Sequence, residues 1–137
     1  MSDATPLAVV YKDLQKEHLR LLTMLDRLRG HDSLAGLAPL LEKLRTLAIV
    51  HFAREQLPGG FYEALGDRAR DRADEIRVLT SEHGALLATL NALMADVEHA
   101  DSSAEARLLE QVMALADQLQ DHEQREHAFA VAVLEKS

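Results

Sequence analysis

Leucines and other apolar residues recur at steps of four and three along four stretches of this chain, and a histidine breaks every one of those stripes. The last stripe shows the pattern most plainly: Leu108, Val112, Leu115, Leu119, His122, Glu126, Phe129, Val133. Such steps keep side chains on one face of an α-helix, and a stripe of that width is the seam along which helices pack. The first stripe is Tyr11, Leu14, His18, Leu21, Leu25, Leu28, and the second is Leu40, Leu44, Leu47, His51, Glu55. The third is Ile76, Leu79, His83, Leu86, Leu90, Leu93, Val97. With only three prolines in 137 residues and few β-branched runs, the expected fold class is all-α.

Local signals set the expected boundaries. Thr5 followed by Pro6 is a helix start, so a first helix is predicted over 6–29, stopped by Gly30. A second runs over 39–57 until Pro58-Gly59-Gly60 breaks it, and 61–65 adds a further turn before Gly66. A third is predicted over 68–99. Ser102 and Glu105 have capping-box spacing, which starts a fourth helix over 103–135. Short connections make neighbours antiparallel, so the expected architecture is an up-down-up-down antiparallel four-helix bundle, one domain spanning 1–137. An internal echo supports two copies of one hairpin: 17–28 aligns without gaps to 82–93, sharing a glutamate, a histidine and four leucines. The second and fourth helices match less well, chiefly through a histidine with a glutamate four residues later.

At about 1.5 Å of rise per residue, His18, His51, His83 and His122 fall within a few ångströms of one height, with Glu55 and Glu126 one turn from two of them. Unpaired, six such groups in an apolar layer would cost several kcal/mol or more each for the carboxylates. A pair of divalent metal ions removes that cost, and imidazole with carboxylate suits iron, manganese or zinc. The candidate metal ligands are therefore His18, His51, Glu55, His83, His122 and Glu126. His31, His99 and His127 lie off the stripes and are expected at the surface. Glu17, Glu82 and Glu123, each next to a stripe histidine, are expected to face solvent, with orientation of a ligand as their other possible role. Tyr62, beside the glycine break, is expected to cap one end.

Several chemistries are excluded. Without cysteine there is no disulfide framework, thiolate zinc site or cysteine nucleophile. The net charge of −8, with basic residues interspersed among acidic ones, offers no concentrated positive field for nucleic acid. No apolar run approaches the roughly 20 residues of a membrane span, and 1–10 lacks a basic, apolar leader, so the expected compartment is the cytoplasm. His122 and His127 are five apart rather than four, which rules out the H-E-x-x-H zinc-protease arrangement. No glutamate is followed three residues later by histidine, which rules out the ferritin-like di-iron pattern.

The pattern of histidine on the first helix, H-x-x-x-E on the second, histidine on the third and H-x-x-x-E on the fourth resembles the hemerythrin-like (HHE) cation-binding domain, with HF-x-x-E at 51–55 its most characteristic piece. The resemblance implies two iron ions in an oxo- or hydroxo-bridged non-haem centre. His18 and His51 would serve one iron, His83 and His122 the other, and Glu55 and Glu126 would bridge. It also implies dioxygen or another small diatomic or peroxide ligand, and a redox partner of unspecified identity. The oxygen carriers of that family use a second histidine on the third helix; here Leu79 and Leu87 flank His83. They also place an aspartate five residues after the last histidine, where this chain has His127. The site thus resembles the histidine-poor members associated with oxygen, redox or iron sensing and with peroxide chemistry, and an open position is expected on the His83 ion. The competing readings are a metal-free or zinc-containing helical interaction or signalling module and a histidine-phosphotransfer domain. The latter needs an exposed histidine beside small and basic residues.

Overall fold

In the computed structural model, which describes residues 7–135, the chain is all-helical, with no strand among the described residues. Helix α1 spans Leu7–Arg29, α2 Leu37–Gln56, a short α3 Phe61–Leu65, α4 Ala73–Glu98 and α5 Glu105–Glu135. Two 3-10 segments, Gly66–Arg72 and Ser102–Ala104, lead into α4 and α5. The Thr5-Pro6 start lies outside the described residues. Helices α1 and α4 each pack on both α2 and α5, which closes the long helices into a ring. None of the described helices is long and apolar enough to cross a membrane.

Three boundaries depart from expectation for identifiable reasons. Helix α2 starts at Leu37, two residues before Pro39, because Gly36 takes a left-handed turn (φ 76°) that drops Leu37 into the core. The segment after Gly66 is 3-10 rather than α: in Gly66–Arg72 only Ala69 is buried, so no apolar stripe holds a regular helix against its neighbours. Ahead of α5, Asp101 caps the 3-10 segment Ser102–Ala104, its carboxylate accepting from the Ser103 N–H at 3.0 Å, in place of a Ser102–Glu105 box. Glu105 instead accepts from the Leu34 N–H at 3.1 Å, which pins the α1–α2 loop to α5.

The core is divided by height. Leu21, Leu25 and Leu28 of α1 join Leu41 and Leu44 of α2, Leu90 and Leu93 of α4, and Leu108 and Leu115 of α5 in one apolar cluster. Leu14, Leu79, Phe129 and Val133 join Phe61 and Leu65 of α3 in a second. The stripe of α2 is rotated from expectation: Leu41, Ala48 and Phe52 are fully buried, whereas Leu40 and Leu47 are only partly so. On α1, α4 and α5 the polar residues fall between the two clusters: His18 between Leu14 and Leu21, His83 between Leu79 and Leu86, and His122 and Glu126 between Leu119 and Phe129. The break at 58–60 allows α3 to close the layer from below. Gly59 takes φ 82°, and a side chain at Gly60 would overlap the Arg54 carbonyl oxygen. That tight reversal delivers Phe61, stacked on Tyr11 at 5.8 Å, and Tyr62 beneath the polar layer.

Candidate metal centre

Six ionisable side chains are buried in one layer: His51 (2% exposed), Glu55 (3%), His83 (2%), His122 (1%), Glu123 (1%) and Glu126 (7%). The three histidines are oriented alike. Each has its Nδ1 held from outside the layer: His51 by Glu17 Oε1 at 3.2 Å, His83 by Gln56 Oε1 at 2.7 Å, His122 by Glu82 Oε1 at 2.6 Å. An Nδ1–H donating outward leaves Nε2 aimed inward, as imidazole is presented to a metal. Glu17 is itself paired with Arg54, and both oxygens of Glu82 are held by Arg125 at 2.9 Å.

Inside the layer the Nε2 atoms meet carboxylates. His122 Nε2 lies 3.2 Å from Glu126 Oε1, His83 Nε2 lies 3.3 Å from Glu55 Oε1, and His51 Nε2 lies 3.0 Å from Glu123 Oε1. Donors bonded to one ion at about 2.1 Å sit roughly 3.0–3.4 Å apart in octahedral or tetrahedral geometry. Two four-donor groups result, Glu55–His83–His122–Glu126 and His51–Glu55–Glu123–Glu126, each with its ligand atoms within 4.8 Å of one another. They share Glu55 and Glu126. Five buried atoms, Glu55 Oε1, His83 Nε2, His122 Nε2, Glu123 Oε1 and Glu126 Oε1, have no hydrogen-bond partner. A native interior holds few such atoms, and here all five belong to the two groups.

The electrostatics follow from that crowding. Burial would lower the pKa of His51, but Glu123 and Glu17 outweigh it and push it up to about 10. His122 is also raised, its burial outweighed by Glu126 and Glu82. Burial and the adjacent Glu126 push Glu55 well above the usual carboxylate range. Despite its own burial Glu126 is held well below that range, by hydrogen bonds from Glu55, His122 and His83. Two carboxylates this close titrate as a pair, with one proton held between them. The Tyr62 hydroxyl donates to Glu126 Oε2 at 2.7 Å, and burial beside Glu55 and Glu126 keeps the phenol protonated.

Of the six candidate ligands, five meet in these groups. His18 stands at the rim: its side chain is 24% exposed, and its Nδ1 lies 3.7 Å from Glu123 Oε2. Glu123, expected to face solvent, is instead among the most buried side chains, because α5 turns the residue after His122 toward α1 and α2. Tyr62 does more than cap an end, since α3 brings its hydroxyl onto a carboxylate of the layer. His99 and His127 are exposed, the latter stacked over His18 at 6.2 Å, and His31 is half-buried in the α1–α2 loop. Gln56 had no signal of its own in the sequence. Glu17 and Glu82 did, as the shared glutamates of the internal echo. A cavity of about 560 Å³ runs in past Tyr11 and Leu22 to His18, His51, Glu55, Glu123 and Glu126; His83 is not in its lining. On the His83 side Phe52 stacks face to face on the imidazole at 4.0 Å. The larger cavity therefore reaches the layer on its His51 side.

A family model for the hemerythrin HHE cation binding domain matches residues 9–129. The chain belongs to the hemerythrin HHE family. No curated protein and no solved structure matches it. The match reaches from α1 into α5 and includes both donor groups of this hemerythrin-family protein. Imidazole nitrogens aimed into the layer, closely spaced carboxylates and unpartnered buried atoms form a donor set that fits metal cations.

Proposed function

We propose that this hemerythrin-family chain holds a non-haem pair of iron ions shared by Glu55 and Glu126 and binds or reacts with dioxygen or a related small oxidant. In this reading residues 1–137 form one domain, an up-down-up-down antiparallel four-helix bundle. His18 and His51 serve one ion, and His83 and His122 serve the other. The observation that carries the reading is the convergence of five unpartnered, fully buried donor atoms in one layer. A metal-free interaction module would leave each of them unsatisfied, at about 1–3 kcal/mol apiece and more where charged.

Bound iron would supply one-electron redox chemistry and room for a small exogenous ligand. The protein's own contribution is positional. Glu17, Gln56 and Glu82 fix the tautomer and aim of His51, His83 and His122. The Tyr62 hydroxyl, its oxygen 2.7 Å from Glu126 Oε2, donates a hydrogen bond that can stabilise negative charge on that carboxylate or on a ligand beside it. Phe52 and the leucine cluster exclude bulk water on one side, and the cavity at His18 and His51 admits a small molecule on the other.

The test is elemental analysis of the purified chain with its optical spectrum in air and after reduction. About two irons per chain, with a visible charge-transfer band that bleaches on reduction, is the expected result. Zinc alone would keep the donor assignment and remove the redox role. No metal after anaerobic reconstitution would overturn the reading.

A further inference from the structure

We propose that Glu123 is a direct metal ligand, so that the two ions of the pair sit in chemically different donor sets. This rests on the two-metal reading above and deepens it.

The argument starts from the two halves of the chain. The echo places Glu17 and His18 against Glu82 and His83, and the pairs His51–Glu55 and His122–Glu126 against each other. The structure carries the correspondence into contacts: Glu17 orients His51, and Glu82 orients His122. Within the layer the symmetry fails at the residue following each H-x-x-x-E histidine. That residue is Phe52 in α2 and Glu123 in α5. Phe52 stacks on His83 at 4.0 Å and meets His122 edge-on at 5.7 Å, an apolar wall on that side. Glu123 points between His51 and His18, with its oxygens 3.0 and 3.2 Å from His51 Nε2 and one of them 3.7 Å from His18 Nδ1.

A structural role as a mere partner for His51 does not account for this placement. Glu123 Oε1 has no hydrogen-bond partner although the side chain is fully buried, and it lies 3.0 Å from His51 Nε2, whose hydrogen bond goes to the other oxygen, Oε2. His51 already has an outer carboxylate partner in Glu17. With Glu55 and Glu126 shared, the His51 side offers one buried imidazole and three carboxylates, with His18 at the rim. The His83 side offers two imidazoles and two carboxylates. The oxygen-rich, harder donor set is the one that the cavity reaches, so its ion would be the solvent-facing one.

The experiment is anaerobic equilibrium dialysis of the full chain against ferrous iron, with bound metal counted by elemental analysis. It compares wild type, Glu123→Gln and Glu17→Gln. Wild type is expected to take two ions. Glu123→Gln should keep one at wild-type affinity and bind the second more than about a hundredfold more weakly. Glu17→Gln, which removes only an outer partner of the same histidine, should weaken that ion by about 10–100-fold. Two ions bound by Glu123→Gln within about threefold of wild type, or both weakened equally, would overturn the assignment while leaving the two-metal reading intact. Wild type that takes up no iron would overturn both. Iron Mössbauer spectra of the reduced wild-type protein supply a test that needs no variant to fold. Two ferrous doublets of equal area are expected, and a single doublet would refute the inequivalence.

Discussion

Metal uptake at neutral pH should expel at least one proton, and His51 is its main source. In the metal-free protein His51 has both nitrogens on carboxylates, Nδ1 on Glu17 and Nε2 on Glu123, and its pKa stands at about 10. A metal can bond Nε2 only after the proton there has left. At pH 7 that proton sits about three units below its pKa, and each unit is about 1.4 kcal/mol. The proton therefore costs the first ion on that side roughly 4 kcal/mol, or about a thousandfold in apparent affinity. The apparent association constant should rise at least about tenfold per pH unit between about pH 7 and 9, since the raised His122 adds to the same trend. Titration calorimetry with zinc, a redox-silent probe, in two buffers of different ionisation enthalpy reads the proton count directly. Proton release near zero at pH 7, with affinity flat in pH, would refute both the charge state and the role of Nε2. The same proton stabilises the metal-free fold. Because the folded pKa lies above the unfolded value of about 6.5, that contribution is complete below pH 6.5 and fades as pH climbs through about 10. Metal-free protein should thus lose thermal stability between pH 7 and 10, and the metal-loaded protein should lose much less.

Three further perturbations follow from the packing. Phe52→Ala opens a cavity between the leucine cluster and His83 and should cost about 3–5 kcal/mol, a drop of roughly 10–15 °C in Tm by calorimetry; a loss below about 1 kcal/mol would mean that the stack does not form. Gly60→Ala puts a methyl group against the Arg54 carbonyl and 2.8 Å from that of Leu57. It should destabilise by at least about 1–3 kcal/mol and shift α3, seen as altered tyrosine fluorescence, and an unchanged melt would contradict the tight reversal. Glu82→Gln removes the charge that Arg125 and His122 hold below the usual carboxylate range. Metal affinity should fall about 10–100-fold. The variant should also lose the part of wild-type stability that Glu82 contributes above its ordinary pKa and gives up as pH falls, as acid titration of the melts will show.

Much of the helical frame was readable because periodicity is a one-dimensional record of which face is buried. The stripe of α5 holds throughout: Leu108, Val112, Leu115, Leu119, His122, Glu126, Phe129 and Val133 are all buried. Boundaries were less readable, since they depend on what the ends pack against. Gly66–Arg72 carries helix-favouring residues but no face for a neighbour to cover, and it tightened into a 3-10 segment. The stripe of α2 was misplaced for a related reason. Its apolar residues are dense enough to allow two stripes, and only contact with the other helices selects Leu41, Ala48 and Phe52 over Leu40 and Leu47.

The burial of Glu123 escaped the sequence for a physical reason. A seam of width three or four in seven names the residues at its centre, whereas a helix packed against two neighbours also buries residues one position off-centre where two seams meet. Glu123 is such a residue, one step from His122 on the flank that turns toward α1 and α2. Phe52 holds the same station in the other half. In the sequence, a place one residue off the stripe is what points Glu123 outward, and a lone carboxylate buried there would cost several kcal/mol. The reasoning that justified burying Glu55 and Glu126, that a metal removes the cost, applies to Glu123 equally once its neighbours are known. The echo between the halves held the clue: where symmetry places one helix's phenylalanine opposite another's glutamate in a layer of donors, the two halves cannot bind their ions alike.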